Sequence, residues 1–198
     1  MIRKNILWVF VPLFLVSITS QSSAQARGQA QGRGQAVAAP GRPAPGNMRG
    51  DYTFIPKADL EALMGPTRGD RPARVVGVGG ANLGAYILHY PAMKSATLNS
   101  FYHSEIAELY YVVRGSGTAM MGGELESATW DDSNSASIRQ VRGPSVNGTM
   151  KNAHAQNFIA GDIFIVTPGV PHSVTYQVDE RTDIIRAVID PKGTLELK

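Results

Sequence analysis

The chain has 198 residues, 43% of them hydrophobic and none of them cysteine, so it can bury one proper core but hardly two, and disulfides and a lipidated cysteine are both excluded. Its formal charge of +3 is unevenly spread: six of the 19 basic residues (Arg3, Lys4, Arg27, Arg33, Arg42 and Arg49) and no acid stand in residues 1–50, leaving thirteen basic against all 16 acidic residues, a net of −3. The basic balance therefore belongs to the N-terminal part, and the remainder carries no charge signature of nucleic-acid binding.

Residues 1–24 are expected to be a cleaved signal peptide. Arg3 and Lys4 precede an apolar run from Ile6 to Val16, and Ser22-Ser23-Ala24 supplies the small residues a signal peptidase reads. The run falls short of the roughly 20 residues that span a bilayer, so no stable membrane insertion is expected after cleavage. A periplasmic or secreted location in a bacterium follows from the leader. Residues 25–50, rich in Gln, Ala, Gly, Arg and Pro, offer little to bury and read as a disordered linker.

The barrel domain is expected over 51–198. Asp59 opens DLEALMG, in which Leu60, Leu63 and Met64 share one helical face and Gly65-Pro66 ends it, so a short N-terminal helix is predicted. Beyond it the pattern is β: RVVGVGG, AYILHY, ATLNSFYH, ELYYVVRG, GTAMMGG, DIFIVTP, HSVTYQV and DIIRAVID are rich in β-branched and aromatic residues and punctuated by Gly, Pro, Asn and Asp. Eight such segments indicate an all-β barrel or sandwich. Between them, residues 122–160 are rich in Gly, Ser and Asn and read as a long excursion, with Trp130 and His154 as candidate lid residues or plain surface groups.

Three separated residues read as one metal site: His103 and Glu108 in FYHSEIAELYYVVRGSG, and His172 in GDIFIVTPGVPH. Two imidazoles and a carboxylate suit a divalent transition metal, Fe, Mn, Ni, Zn or Cu, and leave coordination positions for a substrate. The two-residue period of a strand sends Tyr110 and Val112 inward with Glu108, and Tyr111 and Val113 outward; His172 shares a face with Val174 and Tyr176, and His103 with Phe101 and Asn99.

These spacings resemble the two motifs of the cupins, small jelly-roll barrels. Glu108 and Gly115 stand at the first motif's closing interval with His103 where its second histidine belongs, and Gly161, Gly169 and His172 match the second motif in order and spacing. The chain departs from the pattern where Phe101 occupies the first histidine position, Ser95 the leading glycine, Thr167 the first proline and Tyr176 the terminal asparagine. A shifted register would bring in Glu105, but either register keeps His103, Glu108 and His172. Around them, Glu105 is a candidate ligand, a carboxylate orienting an imidazole, or an exposed strand-end charge. His89 is a candidate inward residue, and Tyr110 and Tyr176 are candidate hydroxyl donors to a ligand.

The resemblance implies a cupin-type jelly-roll β-barrel with a short helix before it. It also implies a metal-binding protein acting on a small organic molecule, as a dioxygenase-like oxidoreductase or an isomerase. A non-catalytic periplasmic small-molecule-binding cupin is the competing reading, and a metal-free structural or storage barrel a third. Outward Tyr111 and Val113 give the expectation of a homodimer.

Overall fold

Glu108, Tyr110 and Val112 are buried while Leu109, Tyr111 and Val113 are exposed, and this alternation sets the architecture: strands with one apolar face that must find a second sheet to cover it. The computed structural model describes residues 52–65, 67–95 and 99–198, with only the backbone of Asn99. The leader and linker expected over 1–50 lie outside the described residues, as does the side chain of Asn99.

Among the described residues a helix, α1 (Lys57–Met64), precedes twelve strands: β1 (Gly69–Val78), β2 (Ala81–Tyr90), β3 (Met93–Lys94), β4 (Asn99–His103), β5 (Ala107–Arg114), β6 (Ser116–Met121), β7 (Glu124–Trp130), β8 (Ser145–Lys151), β9 (His154–Ile159), β10 (Ile163–Val166), β11 (His172–Val178) and β12 (Thr182–Asp190). Every strand pair is antiparallel, in a five-stranded sheet of order β1-β2-β12-β5-β10 and a seven-stranded sheet of order β7-β8-β4-β11-β6-β9 with β3 beside β11. The non-sequential neighbours make this a jelly-roll β-barrel, in which the two sheets close on one interior. Each of the eight segments read as strands contributes a strand, ATLNSFYH through its described residues 99–103.

Two findings differ from the sequence reading. The helix begins at Lys57, two residues before Asp59, because Pro56 has the fixed φ of −60° that suits a helix entrance. Asp59 then falls in the first turn, where its charge complements the helix dipole. Leu60, Leu63 and Met64 are all half-buried, as the shared face requires. The stretch 122–160 is not an irregular excursion: it holds β7, β8, β9 and a π-helical turn, Ile138–Arg142. These strands escaped notice because their buried residues are few and widely spaced: Ser145, Val146 and Met150 in β8 and Phe158 in β9. Of β7 only Leu125 is even half-buried, so its solvent-facing residues carry no apolar run. His154 is exposed and Trp130 at the end of β7 is largely so.

The core falls into two clusters. Leu88, Tyr110, Val112, Ala119, Phe158, Val166, Val174 and Ile184 form one, and Val75, Tyr86, Ile106, Val188 and Leu195 the other. Gly115 links β5 to β6 at φ 94°, where a Cβ would run into Thr182, so the motif glycine is required by both conformation and space. No helix among the described residues is long and apolar enough to cross a membrane.

Candidate metal centre

The three residues arrive from both walls of the barrel. His103 ends β4 and His172 opens β11, in the seven-stranded sheet, where His172 lies in register with Phe101, two residues before His103. Glu108 comes from β5 in the opposite sheet, flanked by Val166 and Val188. The loop that delivers His172 is tied to the strand that delivers His103, since the Gly169 N–H donates to the His103 carbonyl at 2.7 Å. A φ of 81° at Gly169 makes that turn one few other residues would adopt.

The result is a buried cluster, with all three residues 1–2% exposed and one donor atom of each lying within 4.8 Å of the others. His103 Nε2 is 3.2 Å from Glu108 Oε1, and His172 Nε2 is 3.1 Å from Glu108 Oε2. Donors bound to one ion at about 2.0–2.2 Å stand about 3.0–3.5 Å apart at octahedral to tetrahedral angles, so both separations fit a shared ion.

The hydrogen bonds around the rings assign their tautomers. His172 Nδ1 lies 2.9 Å from the Val170 carbonyl, which only accepts, so Nδ1 carries the proton. His103 Nδ1 lies 2.8 Å from Ser145 Oγ, whose own proton goes to the Gly143 carbonyl at 2.9 Å, so this Nδ1 is also a donor. Burial holds the His103 ring below its ordinary pKa against the pull of Glu108, which keeps it neutral. With Nδ1 the donor on each ring, the Nε2 atoms are the ones that face the carboxylate, and His103 Nε2 has no hydrogen-bond partner. Two imidazole nitrogens and a carboxylate converging in the barrel interior are the donor set of a divalent transition metal. By distance and by donor type, the residues fit a metal ion.

Sequence reasoning missed the charge that lies behind Glu108. Arg186 on β12 is 2% exposed; its Nη1 is 2.9 Å from both Glu108 Oε1 and Asp70 Oδ2, its Nη2 donates to the Val141 carbonyl at 2.8 Å, and its guanidinium stacks 4.3 Å from the Tyr86 ring centre. The Tyr110 hydroxyl donates to Glu108 Oε2 at 2.6 Å. Burial alone would raise the Glu108 pKa, but the Arg186 guanidinium at 2.9 Å holds it well below the usual carboxylate range. Burial also pushes the Tyr110 hydroxyl upward, so it remains a proton donor. Asp70 is pushed up to about 6 by burial, offset in part by Arg186, and its Oδ1 has no hydrogen-bond partner.

The other candidates divide. Phe101 packs between the imidazoles, its ring 5.1 Å from each, and fills the position of the absent histidine with an apolar wall. Tyr110 reaches the centre. Glu105 does not: its Oε1 accepts from Lys192 Nζ at 2.7 Å at the surface. His89 faces away from the barrel interior, because Leu88 and Tyr90 take the inward positions of β2, and its Nδ1 meets the fully buried Asp183 at 2.6 Å. Tyr176 is half-buried and lines neither cavity at the centre. Of these cavities, one of about 490 Å³ is bounded by Asp70, Tyr110, Val141, His172 and Arg186, within the size range of small-molecule sites. A larger one of about 760 Å³ lies beside it and is lined by none of the three cluster residues.

No family model matches the chain, and no curated protein does. Among solved structures it is similar to an uncharacterized conserved protein with a double-stranded β-helix domain from Klebsiella pneumoniae (19% identity over 68% of this chain and 89% of that one, TM-score 0.38). It is also similar to a cupin protein from Bacteroides fragilis (15%, 61% and 74%, 0.32) and a predicted oxalate decarboxylase from Thermotoga maritima (13%, 61% and 92%, 0.33). The fold itself is established by the strand order and register described above.

Proposed function

We propose that this barrel holds one divalent transition metal on His103, Glu108 and His172 and acts on a small organic molecule in the adjoining cavity. The observation that carries the reading is the pair of Nε2 atoms that stand 3.2 and 3.1 Å from the oxygens of one buried carboxylate. A metal bound there would supply Lewis acidity or, for Fe, Mn or Cu, redox chemistry, consistent with a dioxygenase-like or isomerase activity. The protein's own groups have defined tasks. Ser145 and the Val170 carbonyl fix the two ring orientations, and Arg186 keeps Glu108 ionised. Tyr110 holds the carboxylate in place, while Leu88 and Val174 help to keep bulk water from the cavity. Metal analysis of chain purified without chelator tests the reading: about one equivalent in wild type and none in the His103→Ala/His172→Ala variant is expected, and equal metal in both overturns it.

A second reading, a small-molecule-binding module without turnover, is favoured by one feature. Arg186 already pairs with Glu108, so the carboxylate has a counter-charge without a metal. Metal-loaded protein that binds ligands but transforms none would establish it.

The export leader belongs to this proposal, with periplasmic or secreted protein as its consequence. So does a homodimer. On the outer face of the five-stranded sheet, Ile163 pairs with Tyr111, Ile165 with Leu109 and Ile189 with Leu83, all at least 36% exposed. This apolar surface is what a second copy would cover.

A further inference from the structure

The 760 Å³ cavity has a one-signed lining. Arg68 and Arg142 stand among hydroxyl-bearing residues such as Ser127, Thr129, Ser173 and Thr175, and no aspartate or glutamate lines it. Arg142 lines the inner cavity as well, so the two chambers share this residue.

Arg142 closes the π-helical turn, and its guanidinium lies over the Phe101 ring, 4.4 Å from the centroid. Phe101 in turn packs on His103 and His172, so one aromatic ring separates the guanidinium from the two imidazoles. The stack orients the fork and leaves its edge available. The ion pair of Arg142 with Asp131 is long, at 3.6 Å, and among the described residues its N–H groups make no hydrogen bond. Arg186 offers the contrast: Nη1 and Nη2 are both engaged with protein oxygens. A guanidinium with five donors, held in place and not consumed by the protein, is suited to a planar or tetrahedral oxyanion.

We propose that the outer cavity binds the carboxylate or phosphate end of a small organic molecule on Arg142, with Arg68 adding charge, while the rest of the molecule extends into the inner cavity toward Glu108. This rests on the inner cavity being the ligand chamber and adds the chemical class of its ligand. The anion and the metal centre are gripped by different residues, so each can be tested without the other.

Calorimetry at pH 7 and low ionic strength on the chelator-treated chain, with succinate, glycerol 3-phosphate, succinamide and glycerol as probes, is the test. Saturable binding of one or both oxyanions and none of the neutral molecules is expected; succinate alone identifies the carboxylate, glycerol 3-phosphate alone the phosphate. Arg142→Gln should weaken binding at least tenfold, roughly the worth of a charged hydrogen bond, and Arg142→Lys by less, since it keeps charge but loses the fork. Arg68→Gln should have a smaller effect than Arg142→Gln. Melting within a few degrees of wild type shows that the variants fold. The proposal is overturned if neither oxyanion binds, if succinamide binds as well as succinate, or if folded Arg142→Gln and Arg142→Lys both bind like wild type. It is also overturned if binding appears only after metal is added, which would put the anion on the metal. Oxyanion binding by a chain that takes up no metal would remove the metal reading and leave this site standing.

Discussion

Replacing Arg186 by Met tests whether the buried charge network is the structural support of the centre. The guanidinium is enclosed and joins Glu108 and Asp70 through Nη1, with both contacts at 2.9 Å. Methionine fills much of the space but leaves two carboxylates in a low-dielectric interior with no counter-charge. Breaking a buried pair from one side costs about 3–5 kcal/mol. At about 2–4 °C per kcal/mol for a domain of this size, melting should fall by about 6–20 °C. Adding Glu108→Gln, which alone should also destabilise, removes one of the stranded charges, so the double variant should be more stable than the sum of the singles by about 1–3 kcal/mol. Urea unfolding at pH 7 of wild type, both singles and the double gives the cycle. A loss below about 1 kcal/mol in Arg186→Met, or strict additivity, would refute the network.

Three further outcomes follow from named contacts. Asp70 binds its proton more tightly folded, at about 6, than at its ordinary 3.8, so its contribution to stability is present below about pH 4 and lost as pH rises through 6. Asp70→Asn should remove that slope, of order 2–3 kcal/mol across the window, and an unchanged stability profile from pH 4 to 7 would count against it. Ser145→Ala frees the His103 ring from its tautomer and should weaken metal binding about 10–100-fold with little change in melting; unchanged affinity by competition with a chromophoric chelator would contradict this. Ile165→Lys, at a position 73% exposed on the outer sheet face, should convert a dimer to monomer in sedimentation without loss of fold; a wild type that is monomeric at every concentration removes the dimer.

The cluster of His103, Glu108 and His172 was legible through donor type and the resemblance of its spacing to two family motifs, and the strands give that spacing a physical reason. Glu108 precedes Gly115 by the interval that carries a strand from the interior to its closing turn, and His172 follows Gly169 by the turn that returns β11 to the barrel. The same two-residue period explains His89: it falls between inward Leu88 and Tyr90, which puts it outside with Asp183. Arg186 left a trace in DIIRAVID, a basic residue at the inward phase of an apolar strand, the position where a charge needs a buried partner. Asp70 left none, since its role arises from β2 pairing with both β1 and β12 in one sheet, a relation of tertiary structure. β7, β8 and β9 were hidden by polar outer faces, for which hydrophobic periodicity is silent. Arg142 escaped for the same reason, standing in a turn whose sequence, IRQVR, has no motif.

Two imidazole nitrogens and an ionised carboxylate converge where one cation would be held. Titration of Zn(II) into the chelator-treated chain at pH 7, followed by calorimetry, measures the stoichiometry and the affinity. One ion per chain is expected, lost in the His103→Ala/His172→Ala variant. No saturable binding by wild type, or equal binding by the folded double variant, would contradict it.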